Sequence, residues 1–295
     1  RVERCGLCHS DLHIQDGYAD LGGGKRLDTT GGRALPLTMG HEIAGVVDEV
    51  GPDGSKDLIG KKLPFALVKD LHQVQSTLRA EYPHAWSAID LLTRDLRDGK
   101  PVRMKPVILL GDPGSGKSRM VRRLADLLRT SLYRFDASGV SEAISWAGTA
   151  RGWGNTTPSV PARAVQQAMS PNPLVLVDEI EKTGVGWRAG SLFSAMTPHL
   201  ERETAQRYRD ISLDAEMDLS WISYVATAND DTQIPTHIRD RFRIVRVPLP
   251  TLEHLRPLSR LIMQDLAAEA DVDPRFMAPL DADEEAVIAK AWSKV

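Results

Sequence analysis

The chain has 295 residues, 42% of them apolar and 26% charged, with a formal net charge of −3. That length allows one large or two modest domains with a sizeable core, and the slightly acidic balance leaves nucleic-acid binding unsupported. Two cysteines, Cys5 and Cys8, are too few for a disulfide framework and fit a reducing, cytoplasmic compartment, and no apolar run reaches the ~18 residues a membrane span needs.

No signal peptide precedes the first residues, and the start at Arg1 reads as the middle of a domain. Residues 1–62 are glycine-rich, with "GGGK" at Gly22–Lys25 and "TTGG" at Thr29–Gly32, and their one convincing strand is Ile43–Gly51. Such a stretch predicts loops and a few strands. From Leu63 the character changes. Val74, Leu78, Tyr82, Ala85, Ile89, Leu92 and Leu96 recur at three- and four-residue steps, which predicts an amphipathic helix interrupted near Pro83. "KPVILLGDPG" is an apolar run ending in glycines, as a buried strand before a loop would be. Further buried strands are predicted within 131–138, 173–179, 223–230 and 242–250, and helices within 119–129, 161–169 and 188–202. Strands alternating with helices predict an α/β domain with a mainly parallel sheet covered on both faces. Residues 252–273 and 281–294 read as helices without strands, a small helical lid. The expected division is 1–62, a β- and loop-rich fragment, 63–250, the α/β domain, and 251–295, a truncated lid.

"GDPGSGKS" places Gly111, Gly116, Lys117 and Ser118 at the spacing G-x-x-x-x-G-K-[ST], between a predicted strand and a predicted helix. Glycines let backbone N–H groups fold around phosphate oxygens without Cβ clashes, so the whole turn, with Pro113, Gly114 and Ser115, is a candidate nucleotide cradle. Lys117 would offer a mobile charge to the β and γ phosphates, and the Ser118 hydroxyl would ligate Mg²⁺. "LVLVDE", Leu174–Glu179, is an apolar strand ending in two carboxylates where α/β folds bind ligands. There Asp178 would help hold Mg²⁺ and Glu179 would polarise an attacking water.

With "GDPGSGKS", "VDEIEK", "VATAND" and "IPTHIRDRF" in that order, residues 63–295 resemble an AAA+ ATPase domain, and within that superfamily the Lon-type ATPases. The resemblance implies ATP and Mg²⁺ as ligands. It makes Asn229 the polar residue that orients the attacking water and Arg241 the arginine finger, with Arg239 a competing candidate. It also implies a homo-oligomeric ring, usually a hexamer, because that finger reaches a neighbouring subunit's γ-phosphate. A polypeptide substrate is implied as well: Trp153, between Gly152 and Gly154, matches a pore-facing aromatic, although those glycines equally permit a tryptophan folded onto the core. The Ser-Lys protease domain of Lon is absent. The lid normally continues past the position of Val295 and carries a nucleotide-sensing arginine.

"CGLCHSDLH" followed by "PLTMGHEIAGVVDEVG" resembles part of a zinc-dependent medium-chain alcohol dehydrogenase, the GroES-like portion. By position Cys8 and His41 match two catalytic zinc ligands, Glu42 a carboxylate beside them, and Ser10 and His13 a proton relay. A third ligand has no counterpart at the expected later position, with Cys5 or Asp11 as weak substitutes, and the dinucleotide-binding half is missing. Two rival functions follow, a zinc-dependent oxidoreductase fragment and a nucleotide-binding module without turnover. The isolated histidines at 72, 84, 199, 237 and 254 have no metal-ligand spacing and read as surface or packing residues.

Overall fold

The computed structural model describes residues 18–20, 26–28, 63–140, 142–150, 156–183, 191–273 and 278–292. The expected strand at Ile43–Gly51 lies outside them. Two three-residue strands, β1 (Tyr18–Asp20) and β2 (Arg26–Asp28), pair antiparallel in the N-terminal segment.

From Leu63 the chain builds a five-stranded parallel sheet between two layers of helices. The strands β3 (Val107–Leu110), β4 (Leu132–Asp136), β5 (Leu174–Asp178), β8 (Ser223–Ala228) and β9 (Arg243–Arg246) stand in the order β4-β5-β8-β3-β9. All neighbouring pairs are parallel. β3, β5 and β8 are buried along their whole length, the continuous apolar run that a sheet covered on both faces requires.

Period-two alternation sorts their side chains. Ile108, Leu110, Val175 and Val177 enter one core, with Trp146 of α4 (Ile144–Ala147), Val165 of α5 (Val160–Ala168) and Met196 of α6 (Leu192–Leu200). Val107, Leu109, Leu174 and Leu176 enter the other, with Leu78 of α1 (Leu71–Glu81), Ile89 of α2 (Trp86–Thr93) and Leu124 of α3 (Lys117–Leu128). Full burial of each such aliphatic side chain is worth about 1.5–3 kcal/mol, so these two layers dominate the stabilisation.

The predicted break near Pro83 divides α1 from α2. Asp70 caps α1 by accepting a 2.8 Å bond from the Gln73 amide. Asn172, fully buried between α5 and β5, anchors the segment before α1. Its amide donates to the Ala66 and Val102 carbonyls at 2.9 and 2.8 Å, and its oxygen accepts from the Ala66 amide at 2.9 Å.

An antiparallel hairpin, β6 (Tyr208–Asp210) with β7 (Ala215–Met217), follows the short helix α7 (Arg202–Ala205) and has no counterpart among the predicted elements. Each strand is three residues long, too short for a legible alternation. Its organiser is Asp210, fully buried, whose carboxylate accepts from the amides of Ser212, Leu213 and Ser159. The short helix α8 (Thr236–Arg239) precedes β9, and the C-terminal part is helical as expected, with α9 (Leu255–Glu269) and α10 (Ala282–Trp292).

His199 of α6 is buried against Trp146 and Tyr208, and neither ring nitrogen has a hydrogen-bond partner among the described residues. Burial pushes its pKa down to about 3, so it is neutral in the fold. In the unfolded chain it titrates near 6.5, as the free side chain does. Its contribution to stability is therefore complete above about pH 6.5 and is lost as the pH falls toward 3, by at most ~1.4 kcal/mol per pH unit. Denaturant unfolding of His199→Leu between pH 6.5 and 4.5 is expected to show a pH slope shallower than wild type by about one proton, and equal slopes would refute the assignment.

Candidate functional site

The loop after β3 turns where only small residues fit. A Cβ on Gly111 would meet the Val247 carbonyl oxygen at 2.2 Å, and Gly114 and Gly116 hold φ of +81° and +84°, a region that costs other residues about 1 kcal/mol or more. The turn delivers Lys117 to the start of α3, where the side chain folds back under its own loop. Its Nζ donates to the carbonyls of Gly111 (2.6 Å) and Asp112 (3.0 Å) and to Asn229 Oδ1 (3.0 Å). Burial lowers the Lys117 pKa, against the pull of the Glu181, Asp112, Asp178 and Glu179 carboxylates. Pro113 and Ser115 complete the turn, and the Ser115 hydroxyl donates to the Asp112 carbonyl at 2.8 Å.

Asp178 ends β5 with its carboxylate buried. Ser118 and Thr227 donate hydroxyl bonds to Oδ1 at 2.7 and 2.5 Å, and Arg134 donates to Oδ2. Burial alone would raise the Asp178 pKa, but the bonds from Thr227, Ser118 and Arg134 outweigh it and hold the carboxyl below its ordinary range.

Glu179 follows in the left-handed region, φ 53° and ψ 49°, where a non-glycine residue costs on the order of 1–3 kcal/mol. The Thr227 hydroxyl receives its amide at 3.0 Å, and its carboxylate pairs with Lys182 at 2.7 Å. Asn229, just past β8, is fixed by Glu181, whose Oε1 accepts from the Asn229 amide nitrogen and side-chain Nδ2 at 3.0 and 2.9 Å.

These residues converge at the carboxyl edge of the sheet around a groove of about 550 Å³, with Gly114, Lys117, Ser118, Asp178, Glu179 and Asn229 in its walls. The site thus gathers Lys117, Ser118, Asp178, Glu179 and Asn229 from three separate stretches of sequence. Arg241 and Arg239 do not line it. Arg241 is paired with Glu201 at 2.6 Å and lines a second groove with Arg103, Arg202 and Arg243, while Arg239 lies 3.8 Å from Asp231. Trp153, Cys5, Cys8, Ser10, Asp11, His13, His41 and Glu42 lie outside the described residues. Among those described, no group of three or more His, Cys, Asp or Glu side chains could hold a metal ion.

Among the participants without a legible signal in the sequence are Arg134, already seen on Asp178, and Glu181 and Arg119. Glu181 is the partner of Asn229 and follows the two strand-end carboxylates, Asp178 and Glu179, in "VDEIEK". Arg119, one residue past Ser118, forks onto Asp265 of α9 at 2.5 and 3.0 Å and donates to the Tyr82 hydroxyl at 2.9 Å. The Asp265 carboxylate holds the guanidinium pKa above its ordinary value. The pair docks the C-terminal helices on the phosphate-loop helix beside the groove. His84 and His254 face each other at the same junction, ring centres 5.7 Å apart.

A parallel sheet with a glycine loop at its carboxyl edge, a lysine inside that loop and a carboxylate on the adjacent strand defines a P-loop nucleotide-binding domain of the α/β class. Residues 107–249 match the family model "ATPase family associated with various cellular activities (AAA)", and residues 1–80 match "Alcohol dehydrogenase GroES-like domain". The chain therefore carries an AAA ATPase domain preceded by a GroES-like segment. Its curated relatives include Lon proteases. It is 29% identical over 181 residues to the mitochondrial Lon protease homolog of Phaeodactylum tricornutum, covering 60% of this chain and 20% of that protein. It is 34% identical over 143 residues to the mitochondrial Lon protease homolog of Zea mays, covering 48% and 15%. The chain thus spans a fifth or less of these relatives' lengths.

The fold also resembles the solved S. cerevisiae Hsp104:casein complex in its extended conformation, with a TM-score of 0.57, 16% identity, and 75% and 43% of the two chains covered. Among the described residues no helix is long and apolar enough to cross a membrane.

Proposed function

We propose that the chain binds ATP with Mg²⁺ in the 550 Å³ groove and hydrolyses it. The observation that carries this is the 2.7 Å contact of the Ser118 hydroxyl with Asp178 beside the Lys117 loop. A hydroxyl and a carboxylate, both hard oxygen donors, suit Mg²⁺, which when bound would neutralise phosphate charge. Gly111, Pro113, Gly114, Ser115 and Gly116 shape the turn whose N–H groups receive phosphate oxygens, and Lys117 moves from its loop carbonyls onto the phosphates. Glu179 accepts the proton of the attacking water, and Asn229, oriented by Glu181, positions that water.

Arg241 stands outside this groove and serves a neighbouring copy, so the working unit is a homo-oligomeric ring, of six subunits by resemblance. Polypeptide remodelling, with Trp153 as a gripping residue, is the work that the Lon and Hsp104 likenesses favour. Residues 63–250 form the nucleotide-binding unit and 251–295 its lid, docked through Arg119 and Asp265. The cysteine usage favours a reducing compartment such as the cytoplasm. Cys8 and His41 alone are too few ligands for catalytic zinc.

Phosphate release from Mg-ATP tests the ring. Activity per subunit is expected to rise with protein concentration and to fall in Arg241→Ala, because a trans arginine is worth about 10³-fold or more. Activity per subunit that is constant over the range, with Arg241→Ala equal to wild type, would overturn the trans assignment.

A further inference from the structure

The Asp178 carboxylate is divided between two kinds of partner. Oδ1 accepts the hydroxyls of Ser118 and Thr227, while Oδ2 is held by the Arg134 guanidinium through Nε at 3.0 Å and Nη2 at 2.7 Å. Arg134 lies on β4, the edge strand beside β5, and the register Asp136↔Asp178 puts Arg134, two residues before Asp136, on the face Asp178 occupies. The adjacent Asp136 places its Oδ1 on the Ser138 amide and hydroxyl at 2.9 and 2.6 Å.

The two partners differ in freedom. The Asp178 side chain is 6% exposed and fixed by its hydroxyl bonds, whereas the Arg134 side chain is 59% exposed on a flexible stem. A fixed buried carboxylate without a nearby cation is costly, and a mobile guanidinium can supply the charge and then leave.

We propose that Arg134 is a stand-in cation, holding the metal-binding carboxylate of Asp178 until Mg²⁺ arrives with the nucleotide. The proposal rests on the reading of Asp178 as a magnesium residue. Guanidinium and metal cannot both sit on Oδ2, since like charges at that distance repel strongly in a half-buried site. Three consequences follow. The chain resists loading by free metal in the absence of nucleotide. Asp178 remains charge-compensated while the groove lacks a ligand. Displacement releases a guanidinium into a groove that Lys182 and Arg122 also line, where phosphate oxygens are its natural partners. Arg134 is thus a positioning residue, acting through Asp178.

The test is Mn²⁺ binding to the full chain without nucleotide, followed by the free-ion EPR signal, for wild type, Arg134→Gln, Arg134→Lys and Asp178→Asn. Arg134→Gln is expected to bind Mn²⁺ about five- to tenfold more tightly than wild type, the loss of one charge-assisted fork as competitor. Arg134→Lys, which keeps the charge without the fork, is expected in between, and Asp178→Asn is expected to bind most weakly. Arg134→Gln equal to or weaker than wild type, with Asp178→Asn still weakest, would overturn the proposal and leave the magnesium site standing. Wild type and Asp178→Asn binding alike would overturn both. Arg134→Gln leaves the buried Asp178 carboxylate without its cation and is expected to unfold at a lower temperature than wild type, whereas Arg134→Lys keeps the charge and is expected to unfold close to the wild-type temperature.

Discussion

Glu179→Gln is expected to retain ATP and fail to turn it over. The substitution keeps size and hydrogen-bonding shape but removes the basic oxygen that accepts the water's proton, and general-base catalysis typically contributes 10²–10⁴-fold. The backbone argument points the same way. Glu179 sits at φ 53°, ψ 49°, held there by its amide bond to Thr227, and glutamine meets the same backbone cost as glutamate. What changes is local: the pair with Lys182 is lost, and both side chains of that pair are well exposed, so its stabilising value is small. ATP affinity within about threefold of wild type, alongside phosphate release reduced by at least about a hundredfold, is the expected pattern. Comparable release from variant and wild type would remove Glu179 from the chemistry.

Lys117→Ala is expected to abolish useful nucleotide affinity. In the fold the ammonium satisfies two loop carbonyls and Asn229, and its pKa is depressed by burial, so it is a desolvated cation already positioned beside the phosphate turn. Loss of a charge-assisted contact of about 1.5–3 kcal/mol corresponds to roughly ten- to more than a hundredfold weaker binding. The truncation also leaves the Gly111 and Asp112 carbonyls without this donor, which loosens the turn and adds to the loss. Lys117→Arg is no rescue, because a planar fork cannot fit the three-oxygen nest under the loop. Equilibrium titration with fluorescent ADP reads the difference, and an unchanged affinity in Lys117→Ala would contradict the assignment of the loop.

The elements that were legible in the sequence are those whose signal is local. "PVILL" and "LVLVDE" announce buried strands because both of their faces meet helices, and the break at Pro83 follows from the missing amide and fixed φ of proline. The β6–β7 hairpin was illegible for the opposite reason, since it depends on Asp210 gathering three amides, one of them from Ser159, 51 residues away. The site divides along the same line. Lys117, Ser118, Asp178, Glu179 and Asn229 stand in short motifs whose spacing already implies a phosphate turn and strand ends, and the groove brings them together.

Glu181, Arg119 and Arg134 carry ordinary charges in ordinary helical or strand contexts. Each gains its role from a partner remote in sequence: Asn229 at 48 residues, Asp265 at 146 and Asp178 at 44. Such pairings are set by sheet order, with β4 returning to the far edge beside β5, and no local window records that order.

Calorimetric titration of the chain with ATP, once with Mg²⁺ and once with EDTA, addresses the central claim most directly. The groove geometry predicts a single saturable site per chain whose affinity rises when Mg²⁺ is present, through the Ser118 and Asp178 oxygens. No saturable binding under either condition would contradict the account, whatever the fold.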